Sequence, residues 1–201
     1  MKNALIVVDV QRDFCPGGAL AVPDGDKIVP VINKLLTKYR LTWELFFTRD
    51  WHPAVTKHFD KWPPHCVEGT PGAEFQPDLL VPRKSLFGTE FFKGRGPDAD
   101  GYNGLEALDG DPACCSALTL HDHLMHRRVR NVWICGLALE YCVKATAIAS
   151  AKAGFRTYLI QNATKGVNLT PRDVPDALFE MSEAGVGMVT SANLIAEKGE
   201  L

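Results

Sequence analysis

Short apolar runs alternate along this chain with segments in which apolar residues recur at helical spacing. Residues 4–10 are almost continuously apolar, which is typical of a strand buried on both faces of a parallel sheet. The same reasoning predicts strands over 43–48, 90–93, 131–136, 156–161 and 186–190, and helices over 28–36, 118–127, 140–153 and 173–184. This alternation predicts one α/β domain over residues 1–201, with a doubly wound, mostly parallel six-stranded sheet flanked by helices.

Composition and charge exclude several classes of protein. The chain is 46% hydrophobic and 23% charged, with a net charge of −2, which gives no reason to expect a nucleic-acid partner. No apolar run reaches transmembrane length and no cleavable signal pattern precedes the first strand, so we expect a cytoplasmic protein without a membrane partner. The sequence does not decide the oligomeric state, and a homo-oligomer is possible. We expect the six cysteines to be mostly free thiols: Cys15, Cys66, Cys114, Cys115, Cys135 and Cys142.

Reactive side chains fall where predicted strands end or the following helix begins. Asp9 closes the first strand, Asp50 and His52 follow the second, Lys93 follows the third, and Cys142 follows the strand over 131–136. In open α/β sheets, ligands bind at the carboxyl ends of the strands, so these side chains should converge on one crevice. A carboxylate, an ammonium, a thiol and metal-type ligands in one crevice indicate an enzyme.

Cys142 lies in the first turn of its predicted helix, where amide N–H groups and the helix dipole favour a thiolate. It is therefore either a nucleophile or a small buried core residue. Asp9 is costly at the end of an apolar strand unless it is used or paired, and it is either a loop cap or a general base beside the thiol. Lys93 would keep Asp9 charged and help to lower the thiol pKa.

Asp50, His52 and His65 have the chemistry of metal ligands. One carboxylate and two imidazoles that leave coordination positions free suit Zn²⁺ or Fe²⁺, and Mn²⁺ is also compatible. We expect one divalent ion per chain and choose Zn²⁺. His58 is either a fourth ligand or a residue packed behind the ligands, and we assign it to the latter. The alternative is a set of loop histidines that only make hydrogen bonds.

Residues 50–89 show little regular pattern, and a loop of this length in a compact domain is usually functional or disordered. Its Trp/His clusters favour a function. Phe14, Trp62 and Tyr102 lie in loops beside the reactive groups, where aromatic rings either fill the core or stack on a flat ring substrate.

The chain resembles the nicotinamidases of the isochorismatase-like cysteine hydrolase superfamily. The resemblance runs from about residue 4 to 190 and is carried by five segments, VVDVQRDFCPGGAL at 7–20, TRDWHP at 48–53, WPPHCVEGTPGAEF at 62–75, KG at 93–94 and CGLALEYCVK at 135–144. The second and third segments together resemble the metal-containing nicotinamidases. The stretch over 104–117, which includes the Cys114–Cys115 pair, has no counterpart in the pattern.

The resemblance implies a role for each of these residues. It implies that Asp9, Lys93 and Cys142 are catalytic, that Asp50, His52 and His65 bind the metal, and that Phe14, Trp62 and Tyr102 line the substrate pocket. It also implies a cis peptide bond between Leu137 and Ala138, which helps to aim the N–H groups of Ala138 and Cys142 at an oxyanion. The implied reaction is hydrolysis of nicotinamide to nicotinate and ammonia through a thioester, in NAD salvage.

Three other functions compete with this interpretation. A metal-free hydrolase of the same superfamily would not need Asp50, His52 and His65. A non-haem iron oxygenase would use the histidines and carboxylate but not Cys142. A metal-stabilised scaffold would need no reactive thiol.

Overall fold

The computed structural model describes residues 2–81, 89–110 and 117–196. Within these ranges the strands are β1 (Lys2–Val8), β2 (Glu44–Asp50), β3 (Thr89–Lys93), β4 (Val129–Gly136), β5 (Arg156–Thr164) and β6 (Gly187–Val189). They form one sheet in the order β3-β2-β1-β4-β5-β6, and every neighbouring pair is parallel. The predicted doubly wound sheet is confirmed.

The helices in the described ranges are α1 (Val29–Tyr39), α2 (Leu120–His126), α3 (Lys144–Lys152), α4 (Asp173–Glu183) and α5 (Ser191–Ala196). The helix predicted over 140–153 is divided, since a π-helical turn over Leu139–Val143 precedes α3. α5 is not predictable from the sequence, because six residues are too few to show helical periodicity.

Side chains of β1 pack alternately on the two faces of the sheet, which explains its continuous apolar run. Leu5 and Val7 belong to a core that also contains buried residues of α1 and α5. Ala4, Ile6 and Val8 belong to a second core, which contains buried residues of α2, α3 and α4. The sheet is therefore covered by helices on both faces.

The strand order reverses between β1 and β4, which are neighbours at the centre of the sheet. In doubly wound sheets the ligand crevice lies at such a point, outside the carboxyl ends of the strands. The two strands approach closely here, because the Leu137 N–H donates to Val8 O at 2.8 Å. Gly136 permits this approach: its φ is +120°, and a Cβ atom at this position would lie 2.0 Å from Val8 O.

The long connection after β2 is irregular, as expected, and contains short 3₁₀ turns over Lys57–Asp60 and Pro71–Ala73. β2 continues two residues beyond its predicted end at 48, so that Asp50 is the last residue of the strand and pairs with Lys93. Cys114 and Cys115 lie outside the described residues. The four described cysteines are free thiols. No described helix has the length and apolar character needed to cross a membrane.

Candidate active site

Asp9 lies directly after β1 and is completely buried. Its φ of +47° turns the chain out of the sheet. The Asp9 N–H still donates to Thr48 O at 3.2 Å, and the Thr48 hydroxyl donates to Asp9 Oδ1 at 2.7 Å. One carboxylate oxygen is thus held by β2, and Oδ2 faces the rest of the site.

Lys93 ends β3 and brings its ammonium group into the centre of a buried cluster. Its Nζ atom lies 2.7 Å from Asp9 Oδ2 and donates hydrogen bonds to Asp50 Oδ1, to Gly101 O at 2.5 Å and to Cys142 Sγ at 3.3 Å. Lys93 therefore links both carboxylates to the thiol.

Cys142 lies in the π-helical turn that follows β4, and only 5% of its surface is exposed. Its Sγ atom and carboxylate oxygens of Asp9 and Asp50 all lie within 4.8 Å of one another. The peptide bond between Leu137 and Ala138 is cis, as the resemblance implied. The structure therefore brings the three residues expected to be catalytic into one cluster, although they are separated by up to 133 positions (142 − 9).

The electrostatics of this cluster differ from the expectation at two groups. Burial raises the pKa of the Asp9 carboxyl, although Lys93 opposes this. Burial, together with the carboxylates of Asp50 and Asp9, also raises the pKa of the Cys142 thiol well above its ordinary value, and Lys93 only moderates the rise. Lys93 therefore acts on the thiol pKa in the expected direction, but burial and the two carboxylates outweigh it, so that formation of the thiolate calls for a base.

The other two charged groups of the cluster stay ionised. Burial alone would raise the pKa of Asp50, but the Lys93 ammonium and His52 together bring that pKa below its ordinary range. Burial alone would lower the pKa of Lys93, but Asp50 and Asp9 raise it well above its usual value. Lys93 and Asp50 therefore form a buried ion pair beside the thiol.

His52 follows β2 and is fully buried. Its Nδ1 atom lies 3.0 Å from Gly94 O, and since a carbonyl only accepts, Nδ1 carries the proton and leaves the Nε2 lone pair free. His65 has the same arrangement, with Nδ1 at 2.8 Å from Pro63 O. Backbone contacts of this kind fix the tautomer of metal-binding histidines.

His58 lies beside these two rings. Ring nitrogens of His52, His58 and His65 all lie within 4.8 Å of one another, and the rings of His52 and His58 stack with centroids 4.5 Å apart. Burial and the neighbouring His52 lower the pKa of His58 to about 4, and burial lowers the pKa of His65, so both rings are neutral as ligands must be. Asp50 Oδ2 is 3.8 Å from His52 Nε2.

This donor set fits a divalent metal. His52 Nε2 is buried and has no hydrogen-bond partner among the described residues, which is costly for a polar atom unless another partner binds it. Neutral imidazoles with one carboxylate are ligands that suit Zn²⁺ or Fe²⁺. The position of His58 among the rings makes it a candidate ligand alongside the three that the sequence suggested.

A pocket opens beside Cys142, and all three predicted aromatic residues line it. The indole Nε1 of Trp62 donates to the Tyr102 hydroxyl at 2.9 Å, which joins two of these walls. The described residues that line it are Phe14, Leu20, Val22, Asp50, His58, Trp62, His65, Tyr102, Ala138, Tyr141, Cys142 and Val167.

Four residues of this lining were not predicted from the sequence: Leu20, Val22, Tyr141 and Val167. Tyr141 could have been found from the sequence, because it is the aromatic residue directly before Cys142. In the structure its ring lies at right angles to that of Trp62, with centroids 5.1 Å apart. Val167 gave no signal, because it lies in a loop after β5 that reaches the pocket only through the fold.

A family model described as the isochorismatase domain matches residues 3–193. The chain belongs to the isochorismatase family. The nicotinamidase of Escherichia coli is 34% identical over 211 residues, which cover 95% of this chain and 96% of that protein. The family suggested by the sequence is thereby confirmed, and the relatives include hydrolases of nearly the same length.

Solved structures extend the likeness to the fold, and two of these neighbours were solved with a bound metal or inhibitor. The pyrazinamidase of Pyrococcus horikoshii, solved in complex with zinc, has a TM-score of 0.81 and 41% identity, and the match covers 94% of this chain and 99% of that one. The yeast nicotinamidase bound to the inhibitor nicotinaldehyde also has a TM-score of 0.81, with 27% identity and the same coverage, 94% and 99%.

Proposed function

We propose that this chain is a nicotinamidase, which hydrolyses nicotinamide to nicotinate and ammonia through a thioester on Cys142. The observation that carries the proposal is the Lys93 ammonium, which contacts both the Asp9 carboxylate and the Cys142 thiol beside a pocket walled by aromatic rings. A nucleophile, a base and a group that orients both are the elements of covalent catalysis. The names of the relatives support nicotinamide as the substrate.

The first half of the reaction uses Asp9 as the base. Its carboxylate takes the thiol proton of Cys142, the thiolate attacks the carboxamide carbon, and a C–S bond forms as the carbonyl oxygen becomes an oxyanion. The backbone N–H groups of Ala138 and Cys142 stabilise that oxyanion in our proposal, and one such donor contributes roughly 2.7–4 kcal/mol. Asp9 then passes its proton to the amide nitrogen, the C–N bond breaks, and ammonia leaves a thioester.

The second half reverses the roles. Asp9 accepts a proton from an attacking water as a C–O bond forms. The C–S bond then breaks, Asp9 passes its proton to the Cys142 sulfur to restore the thiol, and the released acid loses its carboxyl proton to solvent as nicotinate. The raised pKa of Asp9 suits a residue that gains and loses a proton in each half. Lys93 stays charged throughout and holds the carboxylate and the sulfur in place.

Asp50, His52, His58 and His65 would hold the metal in this proposal. When bound, the metal supplies a coordination position for the pyridine nitrogen of the substrate. We propose Zn²⁺, with Fe²⁺ and Mn²⁺ also compatible with the donor set, because the Pyrococcus relative is complexed with zinc. The rings of Phe14, Trp62 and Tyr102 sandwich the substrate ring and exclude water.

The proposal also places the protein in the cytoplasm and its product in NAD salvage. Free thiols persist in a reducing compartment, and the four described cysteines are free. Cell fractionation tests the location, and nicotinate-dependent growth of a strain that lacks the protein tests the metabolic role.

Ammonia release from nicotinamide by the purified protein tests the activity directly. Benzamide serves as the matched substrate, since it has the same carboxamide but lacks the ring nitrogen. We expect rapid release from nicotinamide, slow release from benzamide, and loss of the nicotinamide activity after chelation. Equal rates on both amides would contradict recognition of the ring nitrogen, and no release by reduced, metal-loaded protein would contradict the nicotinamidase assignment.

A further inference from the structure

The Gln11 side chain is completely buried and makes three hydrogen bonds to the backbone of segments far away in the sequence. Its Nε2 donates to Asp50 O at 2.8 Å and to Ala73 O at 2.9 Å. Its Oε1 accepts from the Asp50 N–H at 2.8 Å. Both backbone groups of Asp50 are thus bound by one amide.

The course of β1 explains why a side chain takes this position. β1 and β2 pair up to Val8 and Thr48, and the positive φ of Asp9 then turns the chain out of the sheet. A primary amide carries one acceptor and two donors, so it reproduces the hydrogen bonds of a peptide group. Gln11 therefore extends the pairing along this edge of β2 to Asp50.

On its other edge, β2 is paired with β3 at Asp50. Asp50 and Lys93 are partners in the parallel register, and the Trp51 N–H donates to Lys93 O at 2.9 Å. The backbone at the end of β2 is therefore fixed from both sides, and its carboxylate is delivered between Lys93 and His52.

We propose that Gln11 is a positioning residue, which presets Asp50 for metal binding by holding its backbone. This inference rests on the proposed metal site. Because the Gln11 amide is neutral, it acts by fixing the position of the Asp50 carboxylate and not by adding charge to the site. The position of the Asp50 backbone matters because the carboxylate has two partners. A small displacement of the backbone would favour either the ion pair with Lys93 or the contact with the metal at the expense of the other.

A residue with only a structural role would behave differently. Removal of its hydrogen bonds would lower the free energy of unfolding and would leave the metal affinity of the folded protein unchanged. The two roles are therefore separated by a binding measurement on folded protein, with no reference to amidase activity.

The experiment measures Zn²⁺ retained by the full-length, metal-loaded protein after dialysis against a series of chelator-buffered Zn²⁺ solutions. Gln11→Met keeps the approximate length of the side chain and removes all three bonds, and Gln11→Asn keeps the amide on a shorter stem. Thr157→Val is the matched control, because it removes a buried bond to Ser150 at 3.0 Å, between α3 and β5. Circular dichroism monitors the folded fraction of each protein.

We expect Gln11→Met to need about 10- to 100-fold more free Zn²⁺ for half-saturation, the usual effect of losing a group that orients a ligand. Gln11→Asn should lie between it and the parent, and would carry the test if the Met variant did not fold. Thr157→Val should bind like the parent. Parental affinity in both folded Gln11 variants would overturn the inference alone, whereas a parent that retains no Zn²⁺ would overturn the metal site as well.

Discussion

The Thr48 hydroxyl donates a hydrogen bond to Asp9 Oδ1 at 2.7 Å, so the carboxylate that we propose as the base presents its other oxygen to Lys93. This bond joins the end of β1 to β2 inside the sheet, and both residues are completely buried. A hydrogen bond donated to a carboxylate favours its charged form. Thr48 therefore opposes the effect of burial on Asp9.

Thr48→Val should shift the pH dependence of the reaction. Burial already raises the pKa of Asp9, and loss of the hydroxyl raises that pKa further. More of the base is then protonated at a given acidic pH, so the acidic limb of kcat/KM against pH moves to higher pH. On that limb we expect a loss of about tenfold, equivalent to roughly 1.4 kcal/mol. Thr48→Ser keeps the hydroxyl and should restore the parental profile.

Cys142→Ala should lower kcat for ammonia release by at least about a thousandfold, because no other group can form the thioester. Nicotinate should still bind, since the aromatic walls and the histidines are unchanged. Steady-state kinetics and a nicotinate titration measure the two effects. Cys135→Ala is the control, because that thiol is buried within β4 and should be dispensable. A Cys142→Ala protein within tenfold of the parent would refute the covalent route.

His58→Ala should weaken Zn²⁺ binding by about 10- to 100-fold, because His58 lies among the other rings as a candidate ligand. His52→Ala should weaken binding more, since the buried Nε2 of His52 also lies beside Asp50. Elemental analysis after dialysis against chelator-buffered Zn²⁺ measures both. His121→Ala, on the partly exposed surface of α2, is the control. If the Zn²⁺ affinity of His58→Ala were unchanged, His58 would not be a ligand and would only pack behind the ligands.

Thr119→Ala should destabilise the fold without affecting the reaction. The Thr119 hydroxyl accepts from the Asp122 N–H at 3.1 Å and forms a capping box at the start of α2. Loss of such a cap costs about 1 kcal/mol of the free energy of unfolding. Urea denaturation measures the change, and Thr37→Ala, at an exposed position of α1, is the control. An unchanged denaturation midpoint would contradict the role of the cap in stability, and a fall in kcat/KM would contradict the expectation that the cap does not affect the reaction.

The sequence by itself determined the architecture and most of the site. Continuous apolar runs mark strands that are covered on both faces, and their alternation with helical segments fixed a doubly wound sheet. Asp9, Lys93 and Cys142 could be found because each lies at or after the end of a predictable strand, and parallel strands deliver their carboxyl ends to one edge of the sheet. Local pattern and a general rule of topology predicted that these residues meet, and the family resemblance supplied the roles expected of them.

Only the tertiary structure decided how the groups interact. The Gln11 contact spans 39 residues to Asp50 and 62 to Ala73, and no local pattern encodes such a pairing. His58 lies in an irregular connection, and only the fold brings its ring nitrogen within 4.8 Å of those of His52 and His65. The thiol pKa of Cys142 is raised by burial and by carboxylates at the ends of β1 and β2, which the position of Cys142 in the sequence does not reveal. Sequence spacing identifies candidate groups, whereas burial and long-range contacts set their charge and their partners.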